Sequence, residues 1–355
     1  MNGYMAIAGL MILAGVMLTV PLIPAFNEVR RKTDAEPLNV IQRHAGDIRH
    51  FAQSFSEVMK ELKPVLESCH RSGAVARGVL SGGSEYLVIG NSKRIPDLVK
   101  QGDGFACSSV VAFASDFVCP GSITFGQEIY AHRRFTAGSH NQYRAVLGDS
   151  DVSLGPTSTI LRWAHSNQVL IAAQHCDLYG RISAGQLIRL GHGCTFLRVN
   201  APRIEVGAPP AINAGPQISY GSAIDRHTRR ILHNGDFEIR AGEVVHGNIV
   251  ARGKLILRAG SRVAGSVKSN KDMLLEHGVI VEGSVISAEQ MVIGQNCALH
   301  GPVIAERKMT IQSGTNCGDA DKPTTVSSPE IEIQEGVLIF GTLWARQSGR
   351  VVGRQ

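Results

Sequence analysis

Between residues 235 and 318 the apolar positions return every 18 residues in four columns. Phe237, Leu255, Met273, Met291 and Met309 form one, and Ile239, Leu257, Leu275, Ile293 and Ile311 a second. Ile249, Val267, Val285 and Val303 form the third, and Val245, Val263, Val281, Leu299 and Cys317 the fourth. Two glycine rows keep the same step: Gly247, Gly265, Gly283 and Gly301 in one, and Gly242, Gly260 and Gly278 in the other, continued by Asn296 and Gly314. Within each period apolar residues alternate at i and i+2 until a small residue interrupts them, which predicts short strands separated by tight corners. Eighteen residues make three sides of about six, so the predicted object is a triangular parallel β-solenoid. Each residue then stacks on its equivalent about 4.8 Å along the axis. Glycine suits the corners, where the backbone needs positive φ or leaves no room for a Cβ.

The same pattern runs upstream with a step of 17, through Val118, Phe135, Val152 and Val169, through Gly121, Gly138, Gly155 and on to Ala172, and through Ile129, Val146 and Trp163. From Val169 the step lengthens to 18 at Leu187. Downstream, Ile311 is answered by Ile333 and Gly314 by Gly336, both 22 residues on, which predicts a surface loop within the polar segment Asp319–Ser328. The expected organisation is a first solenoid segment over 71–200, a Pro-rich loop or joint over 201–230, a second solenoid over 231–345 and a basic tail over 346–355, on the order of 13 to 14 coils in all.

Ahead of the repeats, Tyr4 to Phe26 is apolar and Met1 to Asn27 carries no charge. Twenty-three helical residues span roughly 34 Å, enough for a hydrocarbon core of about 30 Å. The expectation is a transmembrane helix over 1–27. A cleaved signal peptide would need basic residues before the run, whereas Arg30, Arg31 and Lys32 follow it. The positive-inside rule then places the N-terminus outside and the solenoid in the cytoplasm, beneath an inner membrane. Over 28–70 a juxtamembrane amphipathic helix is expected. Ile41, Ile48, Phe55 and Leu62 lie seven apart, with His44, Phe51, Val58 and Val65 as a second row offset by three and Pro64 closing the seam. Such a helix either pairs with a copy of itself or packs on the body of its own protein.

Composition agrees with this fold class. Of 355 residues 39 are Gly, about 11 % against an average near 7 %, and aromatics make up only 5 %. The net charge of +6 is modest, and the clusters Arg30–Lys32 and Arg226, Arg229, Arg230 lack aromatic platforms, so no nucleic-acid partner is expected. Seven Cys without a C-x-x-C pair indicate neither zinc nor dithiol chemistry. Cys176 and Cys194, 18 apart, should stack on adjacent coils. No phosphate-binding glycine loop or metal-binding motif occurs, so no cofactor, metal or nucleotide is expected.

The run from Gly247 to Ile311 resembles the bactofilin, or polymer-forming cytoskeletal, family, whose coils follow G-x-φ-x-A-x-x-φ-x-φ-x-x-G-x-x-φ-x-G. The Ala of that pattern stands here as Ala251, Ser269, Ser287 and Ala305. The resemblance covers about 80 to 110 residues. It implies a right-handed β-helix, nucleotide-independent self-association end to end, and a role as a bacterial scaffold for envelope or polysaccharide-synthesis proteins, in some members attached to the membrane. The solenoid here is about twice the usual length, which leaves filaments and a discrete oligomer both open.

An 18-residue triangular repeat also describes hexapeptide acyltransferases, and β-helices include polysaccharide-modifying enzymes. The histidines available to the first reading are His132, His140, His165, His175 and His192, none with a carboxylate at a diagnostic spacing. For the second, Asp149 and Asp151 share a strand face. No catalytic residue is assigned from the sequence, and the expected role is structural.

Overall fold

The computed structural model describes residues 11, 13, 15–17, 19–23, 47–91, 95–96, 98–207 and 230–353. The chain divides into two units, Met1–Asn39 and Val40–Gln355. In the first, the described residues are helical and close in a 3-10 turn at Val20–Leu22. Met11, Leu13, Val16, Met17, Val20, Leu22 and Ile23 are exposed there. Among the described residues no helix is long and apolar enough to cross a membrane. The remainder of the expected span lies outside the described residues, as do Arg30, Arg31, Lys32 and Ile41.

The second unit is a β-solenoid of about 13 turns with a helical segment against one side. Its coils form two stacks. In the second stack the 18-residue columns pair in parallel as the spacing predicts: Phe237 on Leu255, Leu255 on Met273, Met273 on Met291, Met291 on Met309, and Met309 on Ile331. Ile311 meets Ile333 across the 22-residue step. The insertion is shorter than the segment expected to carry it, because Thr324–Gln334 is already strand and Val326 stands under Val303.

The two glycine rows serve different needs. Gly242, Gly260, Gly278, Asn296, Gly314 and Gly336 all have positive φ, between 57° and 90°, so this corner turns through the left-handed region. In the other row Gly247 has a φ of 129°, and for Gly265, Gly283 and Gly301 the constraint is close approach. A Cβ on Gly265 would run into the carbonyl of Gly247, and one on Gly301 into the carbonyl of Gly283. The corner column Ser269 and Ser287 closes by hydroxyls donating to the carbonyls of Gly253 and Lys271 at 2.8 and 2.7 Å.

In the first stack the step is not a constant 17. The interior column of one face is Phe117, Phe135, Val152, Leu170, Ile188 and Ile204, with steps that vary between 16 and 18. Val118 and Val169, predicted to line this column, are displaced by one residue, and a one-residue slip in a strand turns a side chain to the opposite face. Val118 is 74 % exposed. Trp163 likewise faces outward beside Ala145, while Ala164 stacks on Val146 inside. Ala172 pairs with Leu154 and Leu190, so the residue that follows Gly155 in its corner row is Ala173, under Gly191. The wide aromatics gather in the early coils: Phe113 stacks on Phe117 and Phe135 with centroids 4.1 and 5.4 Å apart, and Phe125 on Tyr143 at 5.3 Å.

Residues 201–206 are not part of a loop; they finish the strand Thr195–Val206. The basic tail is not a tail either, since Leu338–Val352 is one continuous strand. These two terminal strands pair antiparallel around the last coil: Thr195 with Arg350, Val199 with Leu343, Ala201 with Gly341 and Ile204 with Ile339. The stacks therefore meet end to end at their C-terminal coils and run in opposite directions, with one apolar interior continuous from Leu87 to Val351. The chain between Gly207 and Arg230 lies outside the described residues. Gly207 lies at the joint, and Arg230 begins the first coil of the second stack, at its other end.

The amphipathic helix is α1 (His50–Met59), a 3-10 turn at Lys60–Leu62 and α2 (Lys63–Ser72). It packs on its own protein, along the outward side of the first stack. Pro64 does not end it, because a proline is tolerated in the first turn of α2. Of the expected seam, Ile48 and Leu62 are buried and Phe55 packs against the covered face. Phe51 and Val58 are 48 % and 41 % exposed; the second inward row is Ala52, Met59 and Leu66. The inner rows sit four apart instead of three, which places small Ala52 against the wall and leaves the larger Phe51 at the margin. Gly73 ends α2 in the left-handed conformation, donating to Cys69 O at 2.8 Å. Gly90 lies directly beneath that carbonyl, where a Cβ would clash.

Two predictions follow from the packing. Gly265→Ala should cost about 1–3 kcal/mol by overpacking, whereas Gly260→Asn, which copies Asn296, should cost no more than about 1 kcal/mol; urea unfolding of the two variants checks the contrast. Leu66→Ala should cost about 2–5 kcal/mol and Val58→Ala much less, as read by thermal unfolding.

Candidate functional site

The helix-covered face is where the first stack departs from simple repetition. Outward positions there are apolar, with Val88, Val110, Ala112, Tyr130, Ala145, Leu147 and Trp163 forming a second core with Ala52, Met59, Leu62, Leu66 and Cys69. Phe55 tilts against Trp163 with centroids 5.8 Å apart. Polar contacts at its C-terminal end and at its central turn fix its position: His70 Nδ1 lies 2.7 Å from Ser115 Oγ, and Glu61 accepts the Ser81 N–H at 3.1 Å.

Along one margin of this face the stacking assembles a polar ladder. Asp149 accepts hydrogen bonds from Tyr130 Oη, from His132 Nδ1 at 3.1 Å and from Asn167 Nδ2 at 3.4 Å. Asn167 Oδ1 in turn lies 3.1 Å from His165 Nε2, and His165 Nδ1 lies 2.8 Å from Ser183 Oγ. The amide oxygen can only accept, so His165 carries its proton on Nε2 and accepts from Ser183. Burial holds the His165 pKa below its usual 6.5, opposed by the Asn167 hydrogen bond; Arg49 lowers it further and Asp47 raises it. Burial, reinforced by Asp149, pushes the Tyr130 phenol far up. His132 thus has a carboxylate partner after all, one coil away, with Nδ1 donating and Nε2 directed away from Asp149. His192 has one too, Glu335 at 3.3 Å, from the other stack. Asp151 is not joined to Asp149; it faces Arg134 at 3.8 Å. His140 and His175 occupy a left-handed corner row with Ser122 and Thr157, with φ between 56° and 59°. His140 hydrogen-bonds Thr157 at 2.8 Å and the His175 ring meets that of His192 edge-on at 5.6 Å.

The ladder binds successive coils and fixes one His–Asp pair of the orientation used for proton transfer. An open groove of about 400 Å³ lies apart from it among the described residues, on the second stack, between Leu274, Glu276, His277, Val292, Gln295 and Gln312. Among the described residues no group of three or more His, Cys, Asp or Glu side chains is placed to hold a metal. The cysteines are buried free thiols. Burial raises Cys297 to about 11 and Cys119 and Cys317 to about 12, which suppresses thiolate chemistry. Cys176 and Cys194 do stack, each donating inward to a backbone carbonyl, Gly155 O at 3.3 Å and Ala173 O at 2.9 Å.

Two arginines continue the covered face past the start of α1. Arg181 lies over the Phe51 ring at 4.9 Å, and Arg198 lies over Trp344 across the joint at 5.1 Å. Burial first, then the neighbouring Arg181 charge, lowers the Arg198 pKa.

The first coil of the second stack consists of Arg230–His233, Phe237–Ile239 and Val244–His246. Each of these strands pairs on one side only, with the next coil, and no other described strand meets its outer edge. Sequence spacing located these residues but not their exposure, because the joint that consumes the other ends is formed by residues about 140 apart in the chain.

The buried neutral imidazole of His165 has a consequence for pH. The unfolded chain takes up this proton near pH 6.5 and the folded chain only at lower pH, so stability falls as pH drops below about 6.5. Wild type should lose more stability between about pH 7 and pH 5 than His165→Gln, compared by urea unfolding at each pH. Comparison of the chain with family models, with curated proteins and with solved structures finds no match.

Proposed function

We propose that this protein is a membrane-anchored, self-associating scaffold of the bactofilin type, which holds envelope or polysaccharide-synthesis proteins at one place on the inner membrane. The observation that carries this reading is the in-register parallel solenoid, whose coils pair strand on strand from Phe237 to Ile333. Parallel coils that bond to the next coil through backbone groups also bond to another copy through the same groups, without nucleotide. The resemblance of Gly247 to Ile311 to bactofilin coils supports it, including the glycine row Gly247, Gly265, Gly283 and Gly301. Exposed apolar helical residues from Met11 to Ile23, followed by Arg30, Arg31 and Lys32, support the anchor and the cytoplasmic orientation. A scaffold role asks nothing of His132 and Asp149 beyond tying coils together. Catalysis would require them to line a binding cleft.

The test is a pair of C-terminal fusions in a bacterial host. A fluorescent protein that matures only in the cytoplasm should be bright and membrane-associated, and a phosphatase active only in the periplasm should be silent. Deleting residues 1–27 should release the fluorescent fusion into the soluble fraction. Phosphatase activity would overturn the orientation, and retention of the deleted form would overturn the anchor.

A further inference from the structure

We propose that Cys176 and Cys194 form a disulfide site for hydrogen peroxide, which joins the two buried thiols across adjacent coils and ties the last coil of the first stack to the one before it. The site stands whether or not the protein is a scaffold.

All seven cysteines are buried, but only these two stack on each other. Cys176 comes immediately before the strand Asp177–Ala184, and Cys194 immediately before Thr195–Val206. Asp177 pairs in parallel with Thr195, and the Thr195 N–H donates to the Cys176 carbonyl at 2.9 Å, so one cysteine stands directly over the other. Coil stacking sets their Cα atoms about 4.8 Å apart, within the roughly 4.4–6.8 Å that a disulfide spans. Each follows a left-handed corner residue, His175 with φ 56° and Gly193 with φ 70°. The two backbones therefore match and direct both side chains into the same apolar interior. The other thiols stack on different residue types: Cys107 on Phe125, Cys119 on Ala137, Cys317 on Leu299, and Cys297 between Val279 and Thr315. Cys69 lies on α2.

Packing alone does not call for sulfur here. Cys176 Sγ donates to Gly155 O and Cys194 Sγ to Ala173 O, and in the second stack Thr315 Oγ1 makes the same bond, to Gly294 O at 2.8 Å. In the coil before Cys176 the same position is Ser158. A hydroxyl thus fits this corner as well as a thiol does, yet two successive coils carry thiols.

The pair is asymmetric. The hydrogen bond from Cys194 holds the Cys176 thiol below the usual 9.0 against the opposing effect of burial, while the same contact, reinforced by burial, pushes Cys194 far up. Cys176 is therefore the nucleophile. Its thiolate attacks one peroxide oxygen and the O–O bond breaks. The products are a sulfenic acid on Cys176 and a hydroxide, which takes up the released thiol proton as water. The Cys194 sulfur then attacks the Cys176 sulfur: the S–S bond forms, the S–O bond breaks, and the departing hydroxide carries off the Cys194 proton as a second water. Two thiols give up two electrons to one peroxide, leaving one disulfide and two waters. Peroxide suits the site because it is neutral and little larger than water, whereas thiol–disulfide exchange would have to bring a bulky sulfur compound into a closed interior.

The position gives the bond its effect. The Val351 N–H donates to Cys194 O at 2.9 Å and the Gly193 N–H to Val351 O at 3.2 Å, so Cys194 belongs to the joint between the stacks. A bridge to Cys176 holds the joint-forming strand Thr195–Val206 against the coil behind it.

The experiment exposes the folded full chain, in dodecyl maltoside micelles, to hydrogen peroxide, then blocks the remaining thiols with N-ethylmaleimide in guanidinium and maps tryptic peptides by mass spectrometry. The expected result is peptide 163–181 joined to peptide 190–198 by a bond that a phosphine reductant breaks, with two of the seven cysteines withheld from alkylation. Hydrogen exchange across 195–206 should be slower in the oxidised protein than in the reduced one. Serine variants, which the hydroxyls of Ser158 and Thr315 show this corner accepts, separate the two roles. In Cys194→Ser, dimedone should label Cys176 as the sulfenic acid; in Cys176→Ser, Cys194 should remain unlabelled. Seven alkylatable thiols after peroxide would overturn the site, and so would Cys176 carried on to sulfinic acid without a cross-link. A cross-link between other cysteines in place of this pair would overturn the assignment. Equal dimedone labelling of Cys194 in Cys176→Ser would overturn the order of attack.

Discussion

Backbone hydrogen bonding between one coil and the next is the interaction on which the rest of this structure depends. It requires the chain to return to the same place after each turn, so every position acquires a fixed neighbour above and below. Interior columns must then accept their own kind: Met273 under Leu255 and over Met291 is comfortable, whereas a charge at such a position would be buried without a partner. The corners carry the complementary demand. Gly265 is needed because the coil beneath leaves no volume for a side chain, and Asn296 can replace glycine only in the row where the demand is on φ.

Such a ladder has no intrinsic length, and what ends it decides what the protein can do. Here the chain ends two ladders against each other. The antiparallel joint satisfies strands of both stacks, carries the apolar interior across and adds side-chain contacts at the margin, among them Asn200 to Thr342 at 2.9 Å and Arg198 over Trp344. An edge that would otherwise recruit other molecules is thereby internal, a fold-level answer to the hazard of open strands. The hairpins at the start of the first stack answer the same hazard by a different route, and the first coil of the second stack has no such answer among the described residues.

The helix shows how a lateral surface is closed. A solenoid face normally alternates apolar inside with polar outside, but over the first stack both sides of several strands are apolar: Val111 and Val146 point in while Ala112, Ala145 and Trp163 point out. The outward set becomes a core only because α1 and α2 cover it. At its margin the pattern turns polar again, and residues one coil apart, Asp149 with His132 and Asn167, His165 with Ser183, satisfy each other.

The period, the second-stack columns, the glycine rows and the existence of an amphipathic helix were legible in the sequence, because each depends on residues that recur at a regular step and meet the same neighbours every time. The slips at Val118, Val169 and Trp163 were not, because a coil of 17 and a coil of 18 differ by one corner residue whose effect is to exchange inside for outside. The pairing of His132 with Asp149 was hidden for the same reason: their separation of 17 acquires meaning only once the register of those coils is known. The inward row Ala52, Met59 and Leu66 depended on the shape of the wall the helix meets, and local periodicity carries no record of that wall. Where the stacks stop and which ends meet were decided by tertiary structure alone, since the antiparallel joint brings Val199 to Leu343. Sequence determines what stacks on its neighbour one turn away; only the folded chain brings together ends that share no period.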